Sequence, residues 1–339
     1  MLIQPKHLVF AGGGPKCLSF LGALEVLHNK NILKKTSQYW GNSAGAIVAT
    51  FITLQVPLPK LRAIFETIDF TRFRDIDLAN IVTFGEKWGL DSGEGFVNHM
   101  KELLEMAKPG SSHYTLQELP GLHIASADLT DTKIVILDST TFPTLKLIDA
   151  LRASTSIPFF YKPFRNPINN HLMVDGGLGA NFPWMFLPSD EDRSHALGFN
   201  FKKYITMKEP ETLSEYIPKI LNFKELSRIK DNNPLQNEPN IINFNITGYP
   251  SWHLAIKPNE KEELIAIGKK TAEEWLILHS VEEKLENQHM SSDQDTQLML
   301  NHSSELSSEN HGCQHPKHHS DLPQDSPSLY LPPSRRWSV

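Results

Sequence analysis

A chain of 339 residues, 40% of them hydrophobic, can bury one large core or two smaller ones, which sets aside collagen-like and wholly disordered classes. A formal net charge of -6 argues against a nucleic-acid binder that works by bulk charge, and Cys17 and Cys313, the only two cysteines, imply no disulfide framework. The apolar run Leu8 to Ala11 is too short for a signal-peptide core, and the longest run, Ala44 into Leu54, falls short of the roughly 20 residues needed to span a bilayer. The expectation is a soluble protein of a reducing compartment, cytoplasmic and peripheral at membranes when acting, with export without a classical signal left open.

In chain order, His7 to Ala11 predicts a buried strand that runs into Gly12-Gly13-Gly14-Pro15-Lys16. Leu18, Leu21, Leu24 and Leu27 then repeat at helical spacing, with the helix reaching about Leu33. Strand, glycine turn and helix form a phosphate or oxyanion cradle. Consecutive glycines let backbone N–H groups converge on an anionic oxygen, and the helix dipole adds to them. A dinucleotide fingerprint would need glycine where Cys17 stands, and a P-loop would need Gly-Lys followed by Ser or Thr. A second strand near Gln38 to Trp40 leads to Gly41-Asn42-Ser43-Ala44-Gly45, and the apolar segment from Ala44 to about Gln55 continues as a buried helix. This GxSxG spacing is that of a nucleophile elbow, in which a strained turn holds the serine out and any side chain at positions 41 or 45 would collide with a neighbouring strand or helix. There the helix N-terminus favours the negative charge that develops in acyl transfer. If the two strands are adjacent and parallel, the glycine loop and Ser43 lie side by side at their carboxyl ends.

Leu58 to Glu105 reads as interrupted helix, with Asp91 or Ser92 capping the apolar face of Phe96, Val97, Met100, Leu103 and Leu104. The Phe-rich stretch from Phe65 to Phe84, with Ile64, Ile68, Phe70, Phe73, Ile76 and Leu78, is read as core in preference to a lipid-facing lid. His123 to Leu129 and Lys133 to Leu137 predict strands, and Leu145 to Ala153 a helix. Leu172-Met173-Val174-Asp175-Gly176-Gly177 is a strand ending in a carboxylate flanked by glycines. Asp175 is either a base that reaches Ser43 or a turn aspartate, and taken alone the segment favours the turn. Further on, Leu197 to Phe201 and Ile241 to Ile246 predict strands and Glu260 to about Glu286 a helix. The lysine-rich stretch Lys202 to Lys230 is read as a solvated face before a surface for anionic headgroups. From about Asn287 the Ser, Gln, His, Asp and Pro content predicts a disordered tail. Its histidines, His302, His311, His315, His318 and His319, lie near Cys313 without the spacing of a closed zinc site, and Leu329 to Trp337 is a candidate segment for a protein partner.

Together these blocks resemble the patatin-like phospholipase family over about His7 to Leu187. Gly12 to Lys16 resembles the family's oxyanion loop, Gly41 to Gly45 its serine motif, Ala153-Ser154-Thr155-Ser156-Ile157-Pro158 its small-residue block and Asp175-Gly176-Gly177 its aspartate motif, while Asn181 and Pro183 extend the match. The chain departs from the pattern at Cys17, where the family usually has glycine. The resemblance implies a three-layer α/β/α fold with a mostly parallel central sheet, its catalytic part in residues 1–190, continued by strands and a long helix in 191–286 and followed by the tail in 287–339. It also implies a lipid acyl hydrolase of phospholipase A type, with Ser43 as nucleophile, Asp175 as base and Gly12, Gly13 and Gly14 around the oxyanion. Lys16, Gly41, Gly45, Gly176 and Gly177 would support that site, with no metal and no cofactor, and with a phospholipid or membrane surface, not nucleic acid, as partner. A Ser, acid and His triad would have to draw on His171, His195 or His253, each equally well read as a loop or surface histidine, and only two strands fit ahead of Ser43. The remaining alternative is a catalytically inactive lipid- or protein-binding module on the same fold, against which the intact Ser43 and Asp175 speak.

Overall fold

The computed structural model describes residues 4–76, 81–202, 209–210, 216, 219–220, 238–249 and 254–280. Strand β1 (His7–Phe10) is buried along its whole length, as a parallel strand covered on both faces must be, and passes through a 3-10 turn at Gly14–Cys17 into α1 (Leu18–Asn29). After β2 (Gln38–Asn42) the chain turns at Ser43 into α2 (Ala44–Thr53), then forms α3 (Leu58–Thr67), α4 (Phe84–Lys87), β3 (Gly89–Asp91) and α5 (Glu94–Ala107). Next come β4 (Leu122–Asp128), β5 (Lys133–Asp138), α6 (Leu147–Ser154), β6 (Phe159–Tyr161), β7 (Phe164–Arg165) and β8 (Leu172–Asp175). The short α7 (Asp190–Ser194), β9 (Ala196–Phe201) and β10 (Ile241–Phe244) precede α8, helical over residues 258–280.

The main sheet runs in the order β10-β9-β1-β2-β4-β8-β7, with β5 also paired to β4. It is parallel from β10 through β4 and antiparallel beyond, while β3 and β6 pair separately as a two-stranded sheet. Helices cover both faces, which gives the three layers. On one face Phe10, Phe199, Phe201 and Phe244 surround Phe20 of α1, with ring centroids 4.8 to 5.9 Å from it. Such aromatic contacts add specificity to the area they bury.

Several expectations shift in detail. The predicted helix from Leu145 starts at Leu147, because Lys146 bridges to Thr115 in extended backbone. Neither Asp91 nor Ser92 is the capping position of α5: that is Gly93, with φ 81°, although Ser92 Oγ accepts the N–H of Glu94. The Phe-rich stretch is core at Ile64, Phe65, Ile68, Phe70 and Phe73, whereas Ile76 is exposed. Leu78, His253, most of the lysine-rich stretch and the tail from Asn287 lie outside the described residues. Among the described residues no helix is long and apolar enough to cross a membrane.

Candidate active site

The register of β4 brings the two candidate catalytic residues together. One edge of this strand is taken by β5, which pairs with residues 123–128. Along the other edge β2 pairs in parallel with Leu122 to Ala125, and β8 pairs antiparallel with Ser126 to Asp128. The carboxyl ends of β2 and β8 therefore meet head-on where Ala125 gives way to Ser126, Asn42 facing the first and Asp175 the second. Ser43 is the next residue after Asn42.

Ser43 occupies φ 52° and ψ -125°, a strained conformation for a residue with a side chain, and it opens α2. The turn closes only because its flanks are glycine. A Cβ on Gly41 would lie 2.5 Å from Ala46 N, and one on Gly45 would lie 2.5 Å from Phe10 O. The Ser43 N–H donates to Ser154 Oγ at 2.8 Å, and that hydroxyl donates to Ala125 O at 2.7 Å, so the small-residue block pins the elbow to β4.

Asp175 is 6% exposed. Its Oδ1 accepts from Gly177 N at 2.7 Å and from Asn42 Nδ2 at 3.1 Å, while its own N–H donates to Ser156 O at 2.9 Å. Burial dominates its titration and raises its pKa, opposed by hydrogen bonds from the Ser43 side chain, Gly177 and Asn42. Among the described residues no cation takes part. Gly176 packs against Asn42, where a Cβ would lie 2.4 Å from Oδ1. Among the described residues no histidine hydrogen-bonds to Ser43 or Asp175: His171 Nδ1 lies 2.7 Å from Asp128 Oδ2, and His195 Nδ1 contacts Glu191 O and Ser194 Oγ.

The three glycines of the first loop divide their work. Gly12 donates its N–H to Asn181 O at 2.9 Å and accepts from Asn181 Nδ2 at 3.0 Å, so its donor is committed and it serves as an anchor beside the serine. A Cβ there would come within 3.2 Å of Ser43 Cβ. The N–H groups of Gly13 and Gly14 have no acceptor among the described residues, and Gly14 has φ 57°. Gly13 rests on the Phe201 ring, over which the Lys16 ammonium sits 4.8 Å from the centroid. Cys17 has φ -58°, ordinary helical backbone, so the position has no need of glycine, and burial pushes its thiol up to about 12, which keeps it unreactive.

Four positioning residues were given no role by their sequence positions. Asn42 lies within the GxSxG string and Ser154 within the small-residue block, so both were marked without being explained. Asn181 stood out only as an extension of the motif. Phe201 carries no local signal, since β9 reaches β1 by long-range pairing alone.

A model of the patatin-like phospholipases matches residues 8–188. The chain is 27% identical over 294 residues to the uncharacterized protein YqhO of Bacillus subtilis (strain 168), covering 79% of this chain and 97% of that protein. It is 26% identical over 191 residues to the "Probable lipid hydrolase 463L" of Invertebrate iridescent virus 6, covering 53% of this chain and 63% of that one. Among solved structures, VipD from Legionella pneumophila shares the fold with a TM-score of 0.54 at 16% identity, over 81% of this chain and 67% of VipD. With more than half of its length matched by the family model and its sheet, elbow and glycine loop in order, the chain belongs to the patatin-like phospholipase family.

Proposed function

We propose that this lipid hydrolase family member cleaves carboxylic esters of phospholipids through a dyad of Ser43 and Asp175. The observation that carries the reading is the head-on meeting of β2 and β8, whose carboxyl ends hold a buried carboxylate and lead into a strained serine, with no cation contributing to the carboxylate's titration among the described residues. Ser43 Oγ forms a bond to the ester carbonyl carbon as Asp175 takes its proton, and the carbonyl oxygen becomes an oxyanion. The N–H groups of Gly13 and Gly14 and the N-terminus of α2 stabilise that charge. Collapse expels the lipid alkoxide, which leaves with the proton from Asp175. Water then attacks the acyl-serine with Asp175 again as base, releasing the fatty acid and restoring Ser43. A carboxylate is a weak base beside imidazole, and burial offsets this by raising the basicity of Asp175.

A serine-directed fluorophosphonate probe tests this reading by intact mass. The expected result is a single adduct on the wild-type chain, none on Ser43→Ala, and labelling slowed by about 100-fold or more in Asp175→Asn. A folded wild-type chain that stays unlabelled would overturn the reading and leave a binding module.

A further inference from the structure

Large apolar side chains are exposed to solvent at and just ahead of the two-stranded sheet of β3 and β6. Trp88 is 54% exposed, Phe159 47% and Val82, on the approach to α4, 86%. Trp88 directly precedes Gly89, the register partner of Phe159. Both aromatics also hold left-handed backbone, φ 57° at Trp88 and 69° at Phe159, a conformation bulky residues rarely adopt. Strain and exposed apolar area at the same two positions are costs that packing does not explain.

Charge lies next to them. A cavity of about 210 Å³ is lined by Lys87, Gly89, Asp91, Ser92, Glu94 and Lys162. Neither Lys87 nor Lys162 has an ion-pair partner among the described residues. Of the two acids, Asp91 is turned inward, accepting from Asp75 N at 2.6 Å and Gly93 N at 2.8 Å, and burial pushes it up to about 7. Glu94 is the exposed carboxylate of the set.

The surface is tied to the dyad. The buried Arg152 of α6 donates to Ser92 O at 3.1 Å and to Lys162 O at 2.8 Å, so it clamps the strands together, and it also donates to Ser156 Oγ. Ser156 is the residue whose carbonyl receives the Asp175 N–H, and Phe159 follows three positions later.

We propose that Val82, Trp88 and Phe159, flanked by Lys87 and Lys162, form a docking surface for an anionic phospholipid bilayer. The apolar side chains enter the headgroup and acyl boundary while the two ammonium groups meet lipid phosphates. Cations without an ion-pair partner among the described residues, set around an apolar patch, match an anionic bilayer better than an uncharged one, and the Arg152 clamp ties that patch to the segment that holds Asp175. Its purpose rests on the lipid hydrolase reading, yet binding does not require turnover.

The test uses the full chain carrying Ser43→Ala, so that partition is read whether or not the protein hydrolyses lipid. Co-sedimentation is measured with vesicles of phosphatidylcholine alone and with added phosphatidylglycerol. The Ser43→Ala parent is expected to prefer the phosphatidylglycerol vesicles, and added salt should weaken that preference. Adding Trp88→Ala with Phe159→Ala is expected to lower partition at least about tenfold. Adding Lys87→Glu with Lys162→Glu is expected to lower it by a similar factor and to abolish the preference for phosphatidylglycerol. The lysine pair keeps the test open if the aromatic pair fails to fold, since neither lysine side chain is buried. A parent that does not sediment with either vesicle, or lysine variants of unchanged thermal unfolding that sediment like the parent, would overturn the proposal.

Discussion

Asp175 and Asp128 lie at opposite ends of the same antiparallel pairing of β4 and β8, and they show how one residue type is turned to two ends. Asp128 looks more like part of a conventional catalytic set, because His171 Nδ1 sits 2.7 Å from its Oδ2. Its Oδ1 meanwhile accepts from the N–H groups of Thr130 and Asp131. Burial alone would raise its pKa, but the bonds from His171, Asp131 and Thr130 hold it below the ordinary carboxylate range. Asp175 has no histidine or cation partner among the described residues, and burial leaves it above that range. A carboxylate with both oxygens taken by an imidazole and backbone N–H donors makes a stable turn and a poor base. One buried beside a hydroxyl makes a poor structural element and a better base.

The largest effect that can break this comparison is on turnover. Asp175→Asn should lower lipid hydrolysis by about 10²- to 10⁴-fold, whereas Asp128→Asn should leave kcat within about twofold, both by steady-state fatty-acid release. Next comes the loop that Asp175 works with. Asn181→Ala removes the donor to Gly12 O and should cost about 10- to 100-fold in kcat while the chain stays folded by circular dichroism, since small misplacements of oxyanion donors are expensive.

Stability should move in the opposite sense at the two sites. Asp128→Asn breaks a buried charge-assisted bond and should destabilise the chain by about 1–3 kcal/mol at pH 7 in urea unfolding. Because the folded pKa of Asp128 is depressed, this contribution is present above about pH 4 and is lost as pH falls through the folded value. The smallest effect is at Asp175, whose folded pKa is raised. Its favourable contribution is present below about pH 4 and lost as pH rises through the folded value, so Asp175→Asn should raise the Tm at pH 7. A lowered Tm for both variants would mean that Asp175 is a structural residue like Asp128.

What the sequence made legible follows from how local its causes are. β1 and α2 could be placed within a few residues because each is an apolar run bounded by glycines or by the elbow, α1 because its leucines keep helical spacing, and β2 because it leads straight into the elbow. The strands β3 and β6 were not legible: each is three residues long, too short for a period, and they are defined by pairing across the chain. Ser43 could be named because a GxSxG string is a local pattern, whereas the segment of Asp175 alone favours a turn and only the resemblance of the ordered blocks points to a base. That the segments carrying them meet depends on β2 and β8 sharing one edge of β4, which only the register of three strands reveals. Nor did the sequence separate Gly12 from Gly13 and Gly14, since the distinction lies in the partner Asn181 brings from far along the chain.

The pH dependence of fatty-acid release from phospholipid vesicles tests the dyad most directly, measured for the wild-type chain with Ser43→Ala and Asp175→Asn beside it. The account predicts that wild-type kcat/KM rises with pH through a limb above the ordinary carboxylate range. Asp175→Asn should lose that limb along with most of its rate, and Ser43→Ala should release nothing. A limb that survives unchanged in Asp175→Asn would assign the base to another group and contradict the account.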